Sequence, residues 1–338
     1  MDESEETYFL AAMLQIPGIG RQTAAALIAA FGSARAVWEA DRGDLFLSKR
    51  LSEKELDAFC TARTAEGPER LAQECRSKGI SVVAKGDTHY PSLLAEIPDA
   101  PLALFYRGQL PDFRQAVAVV GTRKATHYGL AVAKDMAGWL AARELTVVSG
   151  GAIGIDGAAH EGALGKGVTV AVLGCGVDVV YPPRHRALFE QIVASGGALL
   201  SEYPPGAKPT PGRFPARNRI ISGLCRGVLV VEAGHKSGAL ITADLALDYD
   251  REVFCIPGSI YSPVSHGVHD LIRQGAHLIE RPDDILTELG LLWFPDVKEE
   301  KKTEPLSAEE EKILACCCEW KPVMGDAILD QTGFAPAK

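Results

Sequence analysis

The sequence predicts an α/β fold built on a doubly wound, mostly parallel sheet. Two observations carry this prediction. Strand-like and helical segments alternate from about residue 116 to residue 280, and several of the strand-like segments are continuous β-branched runs. Continuous apolar runs are typical of strands that helices cover on both faces. The right-handed crossover between parallel strands then gives a doubly wound sheet.

The segments of this sheet follow one another along the chain. The predicted strands are residues 116–120, 145–149, 168–173, 198–202, 228–232, 253–257 and 276–280. The predicted helices between them are residues 128–142, 155–164, 185–194, 218–225, 239–249 and 268–274. Two shorter strand-like segments, residues 80–84 and 102–106, come before the alternation. We therefore expect an extended Rossmann-like domain over residues 77–292.

The two ends of the chain predict smaller attachments. Residues 1–76 show helical spacing on both sides of a PGIG turn at residues 17–20, which predicts a small helical domain of the SAM or helix–hairpin–helix kind. The turn amides could face a phosphate, although a plain helical turn fits equally well. Residues 293–305 are expected to form a linker, and residues 306–338 the partial start of a winged helix.

Composition predicts a cytoplasmic protein. The acidic start MDESEE is unlike a secretory signal, and no uncharged apolar run is long enough to cross a membrane. The eight cysteines form no C-x-x-C pair and no cluster with zinc spacing, so we expect reduced thiols and no metal site. The net charge of −9 argues against nucleic acid, but residues 203–226 carry a basic stripe that could still bind a polyanion.

Ligands of an open parallel sheet bind outside the carboxyl ends of its strands, so the strand-to-helix loops are the candidate site. The first loop, Gly121, Thr122, Arg123 and Lys124, offers a glycine turn, a hydroxyl group and two cations at a helix start. These groups suit phosphate binding. The loop lacks the G-x-G-x-x-G fingerprint, which argues against a nicotinamide dehydrogenase.

The next two loops raise the question of catalysis. Residues 149–157 are rich in glycine, and Gly151 would let a ligand approach the backbone. Asp156 and His160 could form an acid–base pair, but a helix-start carboxylate with a structural histidine partner is the interpretation we favour. Cys175 lies between glycines without an assignable base, so no catalytic residue is predicted. Arg184, which follows the same strand, is a candidate phosphate contact.

The basic stripe and the loop after residue 232 complete the candidate set. In residues 213–219, cations flank Phe214, and single-strand binders combine such cations with rings on which bases stack. The candidate DNA contacts here are Phe214, Arg217, Asn218 and Arg219, while packing of the ring in the core and arginine–carboxylate pairing are the alternatives. Lys236 and Ser237, just before a helix, again suit a phosphate.

The loop sequences resemble the DNA-processing protein A family, also called DprA or Smf. The strings are VAVVGTRKATHYG, SGGAIGIDGAAH, TVAVLGCGVDVVYPPRH, LLSEYPPG, FPARNRIISGL, VLVVEAGHKSGALITA and VFCIPG, in the family's order. The resemblance implies a homodimer, joined through the Rossmann-like domain, that binds single-stranded DNA, protects it and loads the recombinase RecA during natural transformation. It implies no cofactor and no catalysis. Pro183 and His185 stand where many relatives have Lys and Asn.

Other classes of function stay open at this point. The alternative is a nucleotide-binding or nucleoside-monophosphate-cleaving enzyme of the lysine-decarboxylase-like Rossmann group. Its PGGxGTxxE motif is missing, and EAGHKSGALITA stands in its place. A sensor of mononucleotides also fits the phosphate-competent loops.

Overall fold

The computed structural model describes residues 5–291 and residue 332. The first helices form a helical segment: α1 (Glu5–Met13), α2 (Arg21–Phe31), α3 (Ala34–Glu39), α4 (Arg42–Leu47), α5 (Glu53–Ala62) and α6 (Gly67–Ser77). Side chains cap several of these helices. Ser52 and Glu55, for example, form a reciprocal capping box at the start of α5.

The rest of the described chain alternates strands and helices. The strands are β1 (Ser81–Ala84), β2 (Ala103–Gly108), β3 (Ala116–Val120), β4 (Thr146–Ser149), β5 (Thr169–Val172), β6 (Ala198–Ser201), β7 (Gly227–Val230), β8 (Glu252–Cys255) and β9 (His277–Leu278). The helices are α7 (Ser92–Glu96), α8 (His127–Ala142), α9 (Ile155–Ala163), α10 (Arg186–Ala194), α11 (Arg213–Leu224), α12 (Gly238–Asp248), α13 (His266–Arg273) and α14 (Pro282–Glu288).

The strands form one sheet in the order β1-β2-β6-β5-β4-β3-β7-β8-β9. All pairs from β6 to β9 are parallel, whereas β1–β2 and β2–β6 are antiparallel. The chain leaves β3 toward β4 on one side and returns to β7 on the other, so the winding reverses between β3 and β7. This switch point is where a doubly wound sheet opens a crevice for ligands.

The predicted α/β fold with its doubly wound, mostly parallel sheet is confirmed. Most element boundaries differ from the predicted ones by one or two residues, and one helix differs by more. The helix expected at residues 218–225 begins at Arg213, so Phe214 and Pro215 lie in its first turn. A proline is tolerated there because the first amides of a helix have no partner within it.

The helical segment and the sheet share a hydrophobic core. Met13, Leu27 and Phe59 belong to the same buried cluster as Phe105 and Leu199 of the sheet. Residues 5–291 accordingly belong to one compact unit, so the boundary expected at residue 76 does not separate two cores. The predicted linker and partial winged helix lie outside the described residues. Among the described residues, no helix is both long and apolar enough to span a membrane.

Candidate nucleic-acid interface

A cavity of about 530 Å³ lies at the switch point of the sheet. Its walls come from the loops after β3, β4 and β5, from the first turns of α11 and from the start of α12. Seven predicted site residues line it: Gly121, Thr122, Arg123, Phe214, Arg217, Asn218 and Ser237. These seven residues come from three separate segments of the sequence, which the fold brings together at one cavity.

Glu232, which the sequence analysis did not single out, fixes the loop after β3. Its backbone carbonyl accepts a hydrogen bond from the Thr122 N–H at 2.7 Å. Its carboxylate accepts from the Thr126 N–H at 2.9 Å and from the Thr126 hydroxyl at 2.5 Å. Glu232 is only 3% exposed, so this carboxylate is a positioning group. Arg123 and Lys124, between the two anchors, are exposed.

The loop after β4 packs directly against this first loop. Gly154 has a φ of +87°, and a Cβ there would lie 2.4 Å from the Thr122 carbonyl oxygen, so the close approach requires glycine. Gly151 does not line the main cavity. It lines a neighbouring cavity of about 80 Å³ together with Arg123, Phe214 and Arg217. The buried His185 ring donates from Nδ1 to the Gly151 carbonyl at 3.0 Å and so supports this loop.

Arg217 reaches the sheet from α11 and is only 4% exposed. Its Nη1 donates to the carbonyl of Gly150 at 2.6 Å and also to the carbonyl of Val172, and its Nε donates to Asn218 Oδ1 at 3.3 Å. Burial lowers the pKa of Arg217 to about 10, which leaves the guanidinium charged at neutral pH. Arg217 is thus a cation built into the floor of the cavity.

Phe214 lies between a cation and a second ring. The Arg123 guanidinium stands 5.4 Å from the Phe214 ring centroid, and the Tyr181 ring lies 5.4 Å from it at an interplanar angle of 35°. Tyr181 is 41% exposed and lines both cavities, but the sequence analysis did not select it. The signal available for it was an aromatic residue in the same strand-end loop as Arg184.

Arg219 does not line the described cavities, in contrast to the prediction. Its Nη2 donates to Glu202 Oε2 at 2.5 Å, and its Nε lies 3.3 Å from Asp99 Oδ2. The side chain is 14% exposed. Two carboxylates therefore neutralise this cation, and the structure favours the alternative of arginine–carboxylate pairing over a phosphate contact.

The remaining predicted residues divide between the floor and the rim of the site. Asn218 donates from Nδ2 to the Gly238 carbonyl at 3.2 Å and thereby joins α11 to the start of α12. Ser237 caps α12 by accepting from the Ala239 N–H. Lys124, Arg184 and Lys236 are exposed in the loops that follow β3, β5 and β7. They lie outside the cavity lining but at the same edge of the sheet.

The candidate catalytic groups are held in structural contacts. His160 does not pair with Asp156, because its Nδ1 is bonded to Thr169 Oγ1 at 2.7 Å, and burial lowers its pKa to about 3. The Asp156 carboxylate instead accepts from the Ala152 N–H at 3.3 Å, and burial raises its pKa. Burial raises the pKa of Cys175 to about 11, so it is a thiol at neutral pH.

No group of three or more His, Cys, Asp or Glu side chains suited to a metal ion occurs among the described residues. The cysteines of this part of the chain, Cys60, Cys75, Cys175, Cys225 and Cys255, are free thiols. The run at residues 316–318 lies outside the described residues.

Known proteins share this sheet and its loops. The family model of DNA recombination-mediator protein A matches residues 81–290. Protein Smf of a Synechocystis strain is 40% identical over 312 residues, which is 90% of this chain and 78% of that protein. The matched segment spans 59% of the length of protein Smf of Escherichia coli, which is 47% identical over 220 residues.

Two solved structures are similar as well. DNA processing protein A of Streptococcus pneumoniae has a TM-score of 0.72 and 36% identity, over 85% of this chain and 99% of that one. DNA processing protein A of Helicobacter pylori, described for its single-stranded DNA binding mode, has a TM-score of 0.56 and 31% identity, over 62% of this chain and 95% of that one. The family model covers all of the strand-end loops that form the cavity.

Proposed function

This chain belongs to the DNA recombination-mediator protein A family, and on that premise we propose that it binds single-stranded DNA across the carboxyl ends of its sheet. The observation that carries the proposal is the convergence of Arg123 and Arg217 on one cavity at the switch point. Lys124, Arg184 and Lys236 extend the positive surface along the same edge.

The chemistry of the site suits a flexible polyanion. Exposed cations in separate loops neutralise successive phosphates, and the release of counterions drives the association. Phe214 and Tyr181 supply ring faces next to Arg123, and such faces accept any base by stacking. Binding is therefore expected to depend little on sequence, because phosphate and stacking contacts carry little base-specific information.

The net charge of −9 does not oppose this proposal. Screening confines repulsion between exposed charges to about 8–10 Å at moderate salt. Two carboxylates near the site are held by protein groups: Glu232 by Thr126, and Glu202 by Arg219. The rim cations Arg123, Lys124, Arg184 and Lys236 are exposed to solvent.

An equilibrium binding experiment tests the proposal. Fluorescence polarisation would compare a single-stranded oligo-dT with a duplex of the same length at two salt concentrations. We expect tighter binding of the single strand, with log affinity falling by about 0.7 per log unit of salt for each neutralised phosphate. Equal affinity for both forms, or an affinity independent of salt, would contradict the proposal.

We further propose that the bound strand is protected and handed to RecA, and that the protein acts as a homodimer. The RecA step rests on family membership. For the dimer, the sheet edge supplies support: Leu278 on the edge strand β9 is 46% exposed, and Ile260 and Tyr261 in the loop after β8 are 71% and 89% exposed. Exposed apolar groups beside an open strand edge are typical of interfaces.

Two measurements test these partners. Sedimentation equilibrium should give twice the monomer mass, and Leu278→Glu should give the monomer mass. RecA filament formation on a strand coated with single-strand-binding protein should be faster when this protein is added. No change in filament formation would remove the RecA step while leaving DNA binding in place.

We also propose that the site binds without catalysis. The thiol of Cys175 is protonated at neutral pH because burial raises its pKa to about 11, and the His160 Nδ1 is bonded to Thr169. Neither group is therefore a ready nucleophile or base. Incubation with nucleoside monophosphates and chromatography of the products test this point. Release of a free base by the pure protein would support the alternative enzyme function.

A further inference from the structure

The Arg217 guanidinium has one nitrogen that the protein does not use. Nη1 and Nε donate to Gly150, Val172 and Asn218, whereas Nη2 donates to no group in the described part of the chain. Nη2 is also not among the unpartnered side-chain atoms that are sealed from solvent in residues 5–291. It is therefore open to the cavities that Arg217 lines, although the residue is only 4% exposed.

The start of α12 supplies a second group of donors in the same place. Ser237, Gly238 and Ala239 line the main cavity, and α12 runs for 11 residues from Gly238. The first amides of a helix of this length carry the positive end of its dipole and bind anions. The side chain of Thr122, which lines the opposite loop, adds a hydroxyl group.

The floor and the rim of the site differ in what they can reach. Arg123, Lys124 and Lys236 are exposed, so a continuous backbone can pass over them. Arg217 is enclosed by the backbone of Gly150 and Val172 and by Asn218, so a group must enter the cavity to reach it. A phosphodiester could reach Arg217 only if the nucleotides on both of its sides also entered the cavity. A phosphomonoester has a single ester link and three free oxygens.

Asp156 also lines the cavity, and its negative charge would offset part of the positive charge of Arg217. Asp156 Oδ2 and Arg217 Nη2 would each lie 2.5 Å from a Cβ at Gly150, so the carboxyl group and the guanidinium border the same glycine. Asp156 opposes an anion when it is ionised. Burial raises the pKa of Asp156, and the neighbouring Arg217 acts in the opposite direction.

We propose that the floor of the cavity is a subsite for a phosphomonoester, either at the end of a single DNA strand or on a free nucleoside monophosphate. The inference rests on the proposed function, since it assigns a deeper subsite within the same DNA-binding surface. The cavity volume of about 530 Å³ is within the range of small-molecule sites and accommodates one nucleotide. Arg217 Nη2 would donate to the free phosphate oxygens, and the positive end of the α12 dipole at Gly238 would add to the attraction.

The test measures binding of the full chain to labelled oligo-dT of about six nucleotides, within the length that one single-strand-binding domain covers. The strands carry a 5′-hydroxyl, a 5′-phosphate or a 3′-phosphate. A hydroxyl-ended strand one nucleotide longer controls for added charge. We expect at least one of the phosphate-ended strands to bind about tenfold more tightly than this control, as for a new charge-assisted hydrogen bond.

Two further arms identify the source of the phosphate and the residue that binds it. Thymidine 5′-monophosphate, but not thymidine, should displace the phosphate-ended strand if the free nucleotide also occupies the subsite. Arg217→Lys keeps the charge but removes Nη2, and we expect it to abolish the preference for the phosphate end. Arg219→Lys, two positions away and outside the cavity, should retain that preference.

The outcomes separate the two proposals. If hydroxyl-ended strands bind but phosphate-ended strands bind no tighter than the longer control, and thymidine 5′-monophosphate does not compete, the subsite is overturned and the proposed function stands. If no strand binds, the proposed function itself fails. Because the first comparison uses the unmodified protein, a folding defect in Arg217→Lys cannot obscure the result.

Discussion

Arg217 and Arg219 lie two positions apart in α11, but their guanidinium groups have different partners. Arg217 donates to the backbone carbonyls of Gly150 and Val172 at the strand ends. Arg219 is paired with Glu202 and Asp99. Two residues that lie two positions apart in a helix point to different faces. The basic stripe of the sequence therefore supplies side chains to two different surroundings. One arginine contributes to the cavity and the other holds α11 to its neighbours.

Arg219→Ala should therefore lower stability more than DNA affinity. Removal of the guanidinium leaves Glu202 and Asp99 without their partner in a partly buried setting, and we expect a loss of about 2–3 kcal/mol in the free energy of unfolding. Urea denaturation measures this change. Arg114→Ala removes an arginine from an exposed pair with Asp112 and should leave the free energy of unfolding nearly unchanged. A stable Arg219→Ala protein with weak DNA binding would contradict this assignment.

Arg123→Ala should weaken binding to all single-stranded sequences alike. The change removes a rim cation and its contact with the Phe214 ring, so the slope of log affinity against log salt should fall by about 0.7. Polarisation titrations with oligo-dT and oligo-dC at several salt concentrations measure it. Arg114→Ala is the control. It removes the same charge, but Arg114 lies just before β3, at the opposite end of the strand from Arg123. An unchanged slope would exclude Arg123 as a phosphate contact.

Glu232→Gln should disorder the loop that carries Arg123. A glutamine has one acceptor oxygen in place of two, so the Thr126 N–H and hydroxyl cannot both keep their present bonds. We expect a loss of about 1–3 kcal/mol in stability and weaker DNA binding. Hydrogen exchange of residues 121–126 reports the loop directly. Glu252→Gln, at an exposed site at the start of β8, should leave that exchange unchanged.

Stability should fall in alkaline solution through Cys175. Burial raises its pKa from 9.0 to about 11 in the folded protein. Between these values the unfolded chain loses a proton that the folded chain keeps, so rising pH favours unfolding, by up to about 2 kcal/mol. Below pH 9 this group should have no effect. The free energy of unfolding, measured from pH 7 to pH 11, should fall less steeply with pH for Cys175→Ala than for the parent protein. Equal slopes of free energy against pH would contradict the assignment.

The sheet and the general location of the site could be predicted from sequence. Continuous apolar runs such as AVAVV at residues 116–120 are typical of buried strands in a covered sheet, and parallel strands bring their following loops to one edge. Thr122 and Arg123 are distant in sequence from Ser237, but the three residues were therefore expected to lie at the same edge. They line one cavity. The motifs also indicated the family that the match over residues 81–290 confirms.

The partners of individual side chains could not be predicted in this way. Arg219 pairs with the carboxylates of Asp99, which follows α7, and Glu202, which follows β6. No local sequence pattern links these three positions. Glu232 follows a strand with an apolar profile and gave no periodic signal, although its carboxylate fixes the first loop. The direction of His160, toward Thr169 and not Asp156, depends on helix packing against β5.

Hydrogen exchange of the full chain with and without single-stranded DNA tests the central claim most directly. If cations from separate loops form one binding surface, DNA should protect the amides of residues 121–126, 150–154, 181–185 and 234–239 together. The loops at the other ends of the strands, such as residues 109–115 and 143–145, should exchange as before. Protection confined to those opposite loops, or absent from the first set, would contradict the account.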